Sequence, residues 1–188
     1  MKSSRCLFAS SLLLVSMGLA HAQHNTLMPI RNVSQALDSW ITITENEVVG
    51  VADAMPEEKY SFAPTSGEFT GVRTFAQQAK HLAANNYRMA GYILGRTPTP
   101  DQKSETGPDA VQSKAQIMDY LKGSFAVLHL AMGAINEGNM LTPMAAFPSA
   151  SQKTRLQLAE DVVAHSFNHY GQMVEYLRMN GIVPPASR

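Results

Sequence analysis

The feature that most constrains this chain is a set of apolar side chains between residues 110 and 136 that recur at alternating steps of three and four. This spacing places them on one face of an α-helix, whereas a half-buried strand would alternate every second residue. A helix with one apolar face buries that face against other helices. The set comprises Met118, Leu121, Phe125, Leu128, Met132 and Ile135.

Three further segments predict helices by the same criterion, and no segment shows the alternation of a strand. Asn32, with Gln35 three residues later, indicates the start of the first helix, and Pro56 ends it. Thr70 and Asp109 are the predicted N-caps of the second and third helices. The sequence therefore predicts an all-α four-helix bundle. The predicted helices cover residues 32–55, 72–94, 110–136 and 151–180.

The connection between the second and third helices is about fourteen residues long, from Gly95 to Pro108. Fully extended it reaches roughly 45 Å, which exceeds the roughly 35 Å of a 23-residue helix. These two helices can therefore run parallel, joined by a crossover.

The N-terminus has the three parts of a secretory signal peptide: basic residues, an apolar run from Leu7 to Ala20, and a small-x-small site ending at Ala22. We expect cleavage after Ala22, a flexible leader over 23–31, a bundle domain over 32–185, and a periplasmic or secreted location. The single cysteine, Cys6, leaves with the signal peptide. Any metal site of the mature chain would then use His, Asp or Glu.

Cleavage changes the charge balance only slightly. The full chain has 15 basic and 15 acidic residues, and removal of Lys2 and Arg5 leaves 13 against 15. We expect no nucleic-acid partner, because such proteins carry a basic surface. No second apolar stretch is long enough to span a bilayer, so we also expect no membrane association after cleavage.

Two histidines, His165 and His169, lie four residues apart in the predicted fourth helix. At about 100° per residue they are roughly 40° apart and one turn above each other, so both imidazoles can point at one metal ion. A third, His81, lies in the second helix on a polar stripe with Gln78 and Asn85. That stripe either faces solvent or lines a wet cleft. Three imidazole ligands would leave a coordination position open, as in catalytic metal sites.

Other polar residues are weaker candidates. His129 lies about 75° from the centre of its apolar stripe, and we interpret it as a flanking residue. Asp161, one turn before His165, is either an outer partner of that histidine or a solvated carboxylate. Glu47, Asp161 and Tyr87 are each conceivable as a general base. Gly171 costs helix stability, which close helix packing beside the site would explain.

The sequence resembles the DinB / YfiT-like superfamily of metal-dependent four-helix-bundle proteins. The segments that carry the resemblance cover residues 55–60, 75–83, 165–172 and 176–185. The resemblance implies up-down-down-up helices and one divalent metal held by His81, His165 and His169, with water completing the shell. Zinc or nickel is expected first, with iron, manganese or cobalt as alternatives. It also implies a homodimer, since dimers are common in the family.

Characterised relatives include thiol S-transferases that use bacillithiol and a mycothiol-dependent isomerase. Those thiol cofactors are cytosolic, whereas this chain is predicted to be exported, so we carry no substrate over. The expected function is a metal-dependent hydrolase or transferase acting on an unidentified small molecule. The alternatives are a non-catalytic metal-binding or stress-related envelope protein, and a purely structural helical bundle.

Overall fold

The computed structural model describes residues 29–68, 70–144 and 153–188. Within these ranges it contains four α-helices and no β-strand, which confirms the all-α prediction. The predicted signal peptide, 1–22, and residues 23–28 of the predicted leader lie outside the described residues. The helices are α1 (Val33–Ala54), α2 (Phe75–Ile93), α3 (Lys114–Gly133) and α4 (Arg155–Met179).

The helices begin at polar caps. Asn32 caps α1 as predicted, and its side chain accepts a hydrogen bond from the Gln35 N–H. The other three helices begin with a reciprocal pair, in which a Thr or Ser and a glutamine three residues later each accept from the other's backbone N–H. Thr70 and Asp109 are therefore wrong as N-caps, because residues closer to the helices supply these pairs. The pairs are Thr74–Gln77, Ser113–Gln116 and Thr154–Gln157.

Helices α1 and α4 lie side by side and run in the same direction. Trp40 packs edge-on against Phe167, with ring centroids 6.4 Å apart. Further along both helices, Gly50 lies against Pro185, just past the end of α4. Because residues later in α1 contact residues later in the chain near α4, the two helices are parallel.

Helices α2 and α3 run in the opposite direction. The Tyr176 hydroxyl donates to the Arg73 carbonyl at 2.9 Å, which places the end of α4 beside the start of α2. Lys114 donates to the Met55 carbonyl at 2.9 Å, so α3 begins where α1 ends. The four directions are up, down, down, up, and residues 94–113 form the parallel crossover between α2 and α3.

The crossover fits closely against α2 at Gly107. Gly107 has a φ of +73°, and a Cβ there would lie 2.5 Å from the Lys80 Cβ, so only glycine fits. The Lys80 ammonium donates to the carbonyls of Pro108 and Val111 at 2.9 and 3.1 Å. These contacts fix the loop beside the middle of α2.

The core lies along the centre of the bundle. Every member of the predicted apolar set of α3 is at most 7% exposed. Burying a side chain of this size stabilises the fold by roughly 1.5–3 kcal/mol. Among the described residues, no helix combines the length and apolar character that crossing a bilayer would need.

Candidate metal centre

The side chains of His81, His165 and His169 meet between α2 and α4. Nε2 of His165 lies 3.3 Å from Nε2 of His81 and 3.1 Å from Nε2 of His169. One nitrogen from each ring lies within 4.8 Å of the others. His81 and His169 are each 6% exposed, and His165 is partly buried. The structure thus brings all three predicted histidines to one place.

A buried amide orients His169. Nδ1 of His169 lies 2.7 Å from Oε1 of Gln78, so the ring donates its Nδ1–H to that oxygen. The Gln78 amide then donates to Gln172 at 2.8 Å, and Gln172 donates to Asn168 at 2.6 Å. This chain leaves Nε2 of His169 as the free acceptor that faces the other two rings.

A second amide orients His165. Nδ2 of Asn85 lies 3.2 Å from Nδ1 of His165, and Oδ1 of Asn85 accepts from Arg88 Nη2 at 2.7 Å. Because the arginine occupies the amide oxygen, Asn85 donates to His165, and the proton of His165 is on Nε2. That Nε2–H lies between the acceptor nitrogens of the other two rings.

His81 is the least constrained of the three. Its Nδ1 is buried without a hydrogen bond and lies 3.5 Å from a carboxylate oxygen of Glu105. Glu105 is itself held by Arg73, which donates to it at 2.7 Å. A shift of a few tenths of an ångström would let His81 donate to that carboxylate.

The site keeps its histidines neutral. Burial first, and then charge repulsion among the rings, lower the pKa of His165 to about 4 and that of His169 to about 3. The pKa of His81 is also lowered, first by burial and then by the Arg73 charge. Neutral imidazole is the form that binds a metal.

The donor set suits one divalent ion. Three imidazole nitrogens match Zn, Ni, Co or Fe, and Gln78, by accepting from Nδ1 of His169, leaves Nε2 of that ring free to bind. Orientation by outer amides and a carboxylate is the usual support of histidine ligands. The three histidines can therefore hold a metal through Nε2 once His165 loses its Nε2 proton.

Gln78 and Asn85 were predicted as neighbours of His81 on the same helix. The structure pairs them across the helix interface instead, with His169 and His165. The carboxylate of Asp161 lies 3.7 Å from the Lys153 ammonium. Burial lowers the pKa of His165, and the Asp161 charge offsets part of that lowering without a hydrogen bond.

The remaining candidates lie elsewhere in the bundle. His129 is bound to Asp38 and Glu45 between α1 and α3, so its interpretation as a flanking residue agrees with the structure. Tyr87 packs against α3, 5.1 Å from the ring of Tyr120. The Tyr170 hydroxyl of α4 donates a hydrogen bond to the Glu47 carboxylate of α1.

Close helix packing does not explain Gly171. It is exposed, and a Cβ there would have no neighbour within 4 Å. The prediction is wrong because Gly171 lies on the side of α4 away from the histidines.

Sequence reasoning missed Glu105 and Arg73. Neither belongs to a helix, and only the path of the crossover brings Glu105 to α2, so no periodicity could have identified it. Arg88 follows Asn85 by three residues on the polar stripe of α2. The position of Arg88 on this stripe could be read from the sequence, but the sequence pattern indicated no role for it.

Comparison with known proteins agrees with this arrangement. Residues 41–173 match the family model of the DinB superfamily, which covers more than half of the chain and includes all three histidines. A comparison with functionally curated proteins gives no match. The extent of the family match shows that this chain is a member of the DinB superfamily.

Proposed function

We propose that this protein binds one divalent metal ion through His81, His165 and His169 and acts as a metal-dependent hydrolase or transferase. The observation that carries the proposal is the convergence of three Nε2 atoms, two of them 3.1 and 3.3 Å from the third. Zinc or nickel is the expected ion, with iron, manganese or cobalt as alternatives. Export with cleavage after Ala22, and assembly as a homodimer, belong to the same proposal.

The surrounding side chains orient the histidine rings, and the burial of His81 and His169 limits the access of water to the centre. Gln78 and Asn85 hold two of the rings from the side remote from Nε2, and Glu105 lies beside the third. A bound divalent ion would supply Lewis acidity and a coordinated water of lowered pKa. Three ligands leave room for that water or for a substrate atom.

A non-catalytic metal-binding role is the second candidate, and burial favours it. His81 and His169 are each only 6% exposed, so solvent reaches the centre mainly along His165. Such limited access suits a protein that retains a bound ion.

Elemental analysis of untagged protein, residues 23–188, tests the metal site. We expect about one metal ion per wild-type chain and almost none in the H81A/H165A/H169A variant. H129A is the matched control, because it removes a histidine outside the site and should retain the metal. Equal metal content in wild type and triple variant, after reconstitution with zinc, nickel and manganese, would disprove the site.

Catalysis needs its own measurement. Metal-replete wild type and the triple variant are compared on panels of esters, amides, phosphate esters and thiol-transfer substrates. Turnover by the wild type alone supports an enzyme. Stoichiometric metal with no turnover on any panel would favour the metal-binding role.

A further inference from the structure

The charges around the three histidines are unevenly compensated. On the α2 side two arginines, Arg73 and Arg88, are close enough for their charges to lower the pKa values of the histidines. Arg73 is neutralised, because its guanidinium donates to the Glu105 carboxylate at 2.7 Å. The charge of Arg73 is therefore compensated by an ion pair within the protein.

Arg88 has no such partner. In the described part of the chain, no carboxylate lies within ion-pair distance of it. Its Nη2 donates to Asn85, and its Nε–H is buried with no acceptor. A buried N–H without an acceptor destabilises the fold, because its hydrogen bonds to water are lost and not replaced. Arg88 thus combines an unbalanced charge with an unused donor.

Asp161, on α4, forms its ion pair with Lys153 and not with Arg88. Asp161 lies one turn before His165, and its carboxylate is 3.7 Å from the Lys153 ammonium. The histidines themselves are neutral ligands, so a bound divalent ion would add two further positive charges. The proposed centre then carries a clear excess of positive charge.

We propose that Arg88 binds an oxyanion, a carboxylate or phosphate group of a small-molecule ligand, beside the three histidines. The inference rests on the proposed metal-binding function and narrows its ligand class. A guanidinium presents parallel N–H donors that match the oxygens of a carboxylate or phosphate. Such a ligand would offset the charge of the ion, and a small shift of the partly buried Arg88 side chain toward it would give the Nε–H an acceptor.

Titration calorimetry at fixed ionic strength tests this, with sodium acetate and sodium phosphate added separately to zinc-loaded wild type, R88Q, R88K and R178Q. We expect R88Q to weaken binding about tenfold and R88K less, because lysine keeps the charge without the planar fork. R178Q is the matched control, since Arg178 is exposed and paired with Glu175, and should remain within about twofold. Whichever anion binds the wild type more tightly identifies the group as carboxylate or phosphate.

Equal anion affinity in wild type and R88Q would overturn the inference while leaving the metal site intact. Loss of zinc from a folded R88Q would also overturn it, because Arg88 would then act by positioning His165 through Asn85. If R88Q does not fold, R88K decides, and an affinity equal to wild type contradicts the proposal. Failure of the wild type to take up zinc would instead remove the proposed function on which the inference rests.

Discussion

The amide nitrogen of Asn85 lies 3.2 Å from Nδ1 of His165, the nitrogen opposite the one that faces the other two histidines. In this arrangement His165 keeps its proton on Nε2. To bind a metal through Nε2, a neutral His165 would have to carry its proton on Nδ1 instead, and that N–H would need an acceptor. Asn85 supplies one only by turning its amide over, and this breaks its hydrogen bond with Arg88.

An aspartate at this position should therefore favour metal binding. In the N85D variant both side-chain oxygens accept hydrogen bonds, so Arg88 and the Nδ1–H of His165 are satisfied together. We expect zinc affinity to rise about tenfold, as carboxylate partners raise ligand basicity. Competition with a chromophoric chelator measures it.

N46D is the control for that experiment. It adds the same charge at an exposed position of α1, outside the two helices that carry the histidines, and should change zinc affinity by less than about threefold. An N85D affinity equal to or below that of the wild type would show that the amide does not limit metal binding.

The metal-free protein should lose stability in acid. The unfolded chain binds protons at the ordinary histidine pKa of 6.5, whereas burial, with repulsion among the rings, lowers the pKa to about 4 for His165 and about 3 for His169. The free energy of unfolding is highest above pH 6.5, where both histidines are neutral in either state. It falls as the pH drops toward 4, because only the unfolded state gains protons in that range. We expect a loss of about 2 kcal/mol for each of the two histidines between pH 7.5 and 5, measured by urea denaturation.

The H165Q/H169Q variant removes the titrating groups and should show a flatter pH dependence over the same range. A decline parallel to that of the wild type would assign the acid sensitivity to other groups.

His129 should have the opposite pH dependence. Burial alone would lower its pKa, but hydrogen bonds and charges from Asp38 and Glu45 outweigh it and raise the pKa above 6.5. The stabilisation from protonated His129 is fully present below pH 6.5, and it is lost as the pH rises through the raised pKa of this histidine. We expect H129Q to lower the free energy of unfolding by about 1 kcal/mol at pH 6 and by much less at pH 9.

D119N serves as the comparison, because Asp119 is exposed on the same helix, and it should show no such pH dependence. A cost of H129Q that is equal at both pH values would indicate a packing role for His129 instead of a charged link between α1 and α3.

Much of the architecture was predictable because the helices are long and their apolar spacing is regular. The set from Met118 to Ile135 identified the buried face of α3, and the spacing of His165 and His169 placed both on one side of α4. Helix starts were harder, because several polar residues precede α2 and only the Thr74–Gln77 pair forms both hydrogen bonds.

The surroundings of the histidines were less predictable, for a physical reason. Which histidine Gln78 contacts depends on how α2 is rotated against α4, and spacing within one helix does not contain that angle. The contact between Glu105 and His81 depends on the path of a loop without periodicity. Both relationships exist only after the helices have packed.

The tight fit of Gly107 against Lys80 limits where the crossover loop can accept insertions. Lys80 precedes His81, and Gly107 follows Glu105 by two residues. Insertions between Glu105 and Pro108 would displace the carboxylate beside His81, whereas insertions nearer Thr97 leave that anchor in place. The first half of the crossover can therefore vary in length among relatives, and the second half has to keep its length.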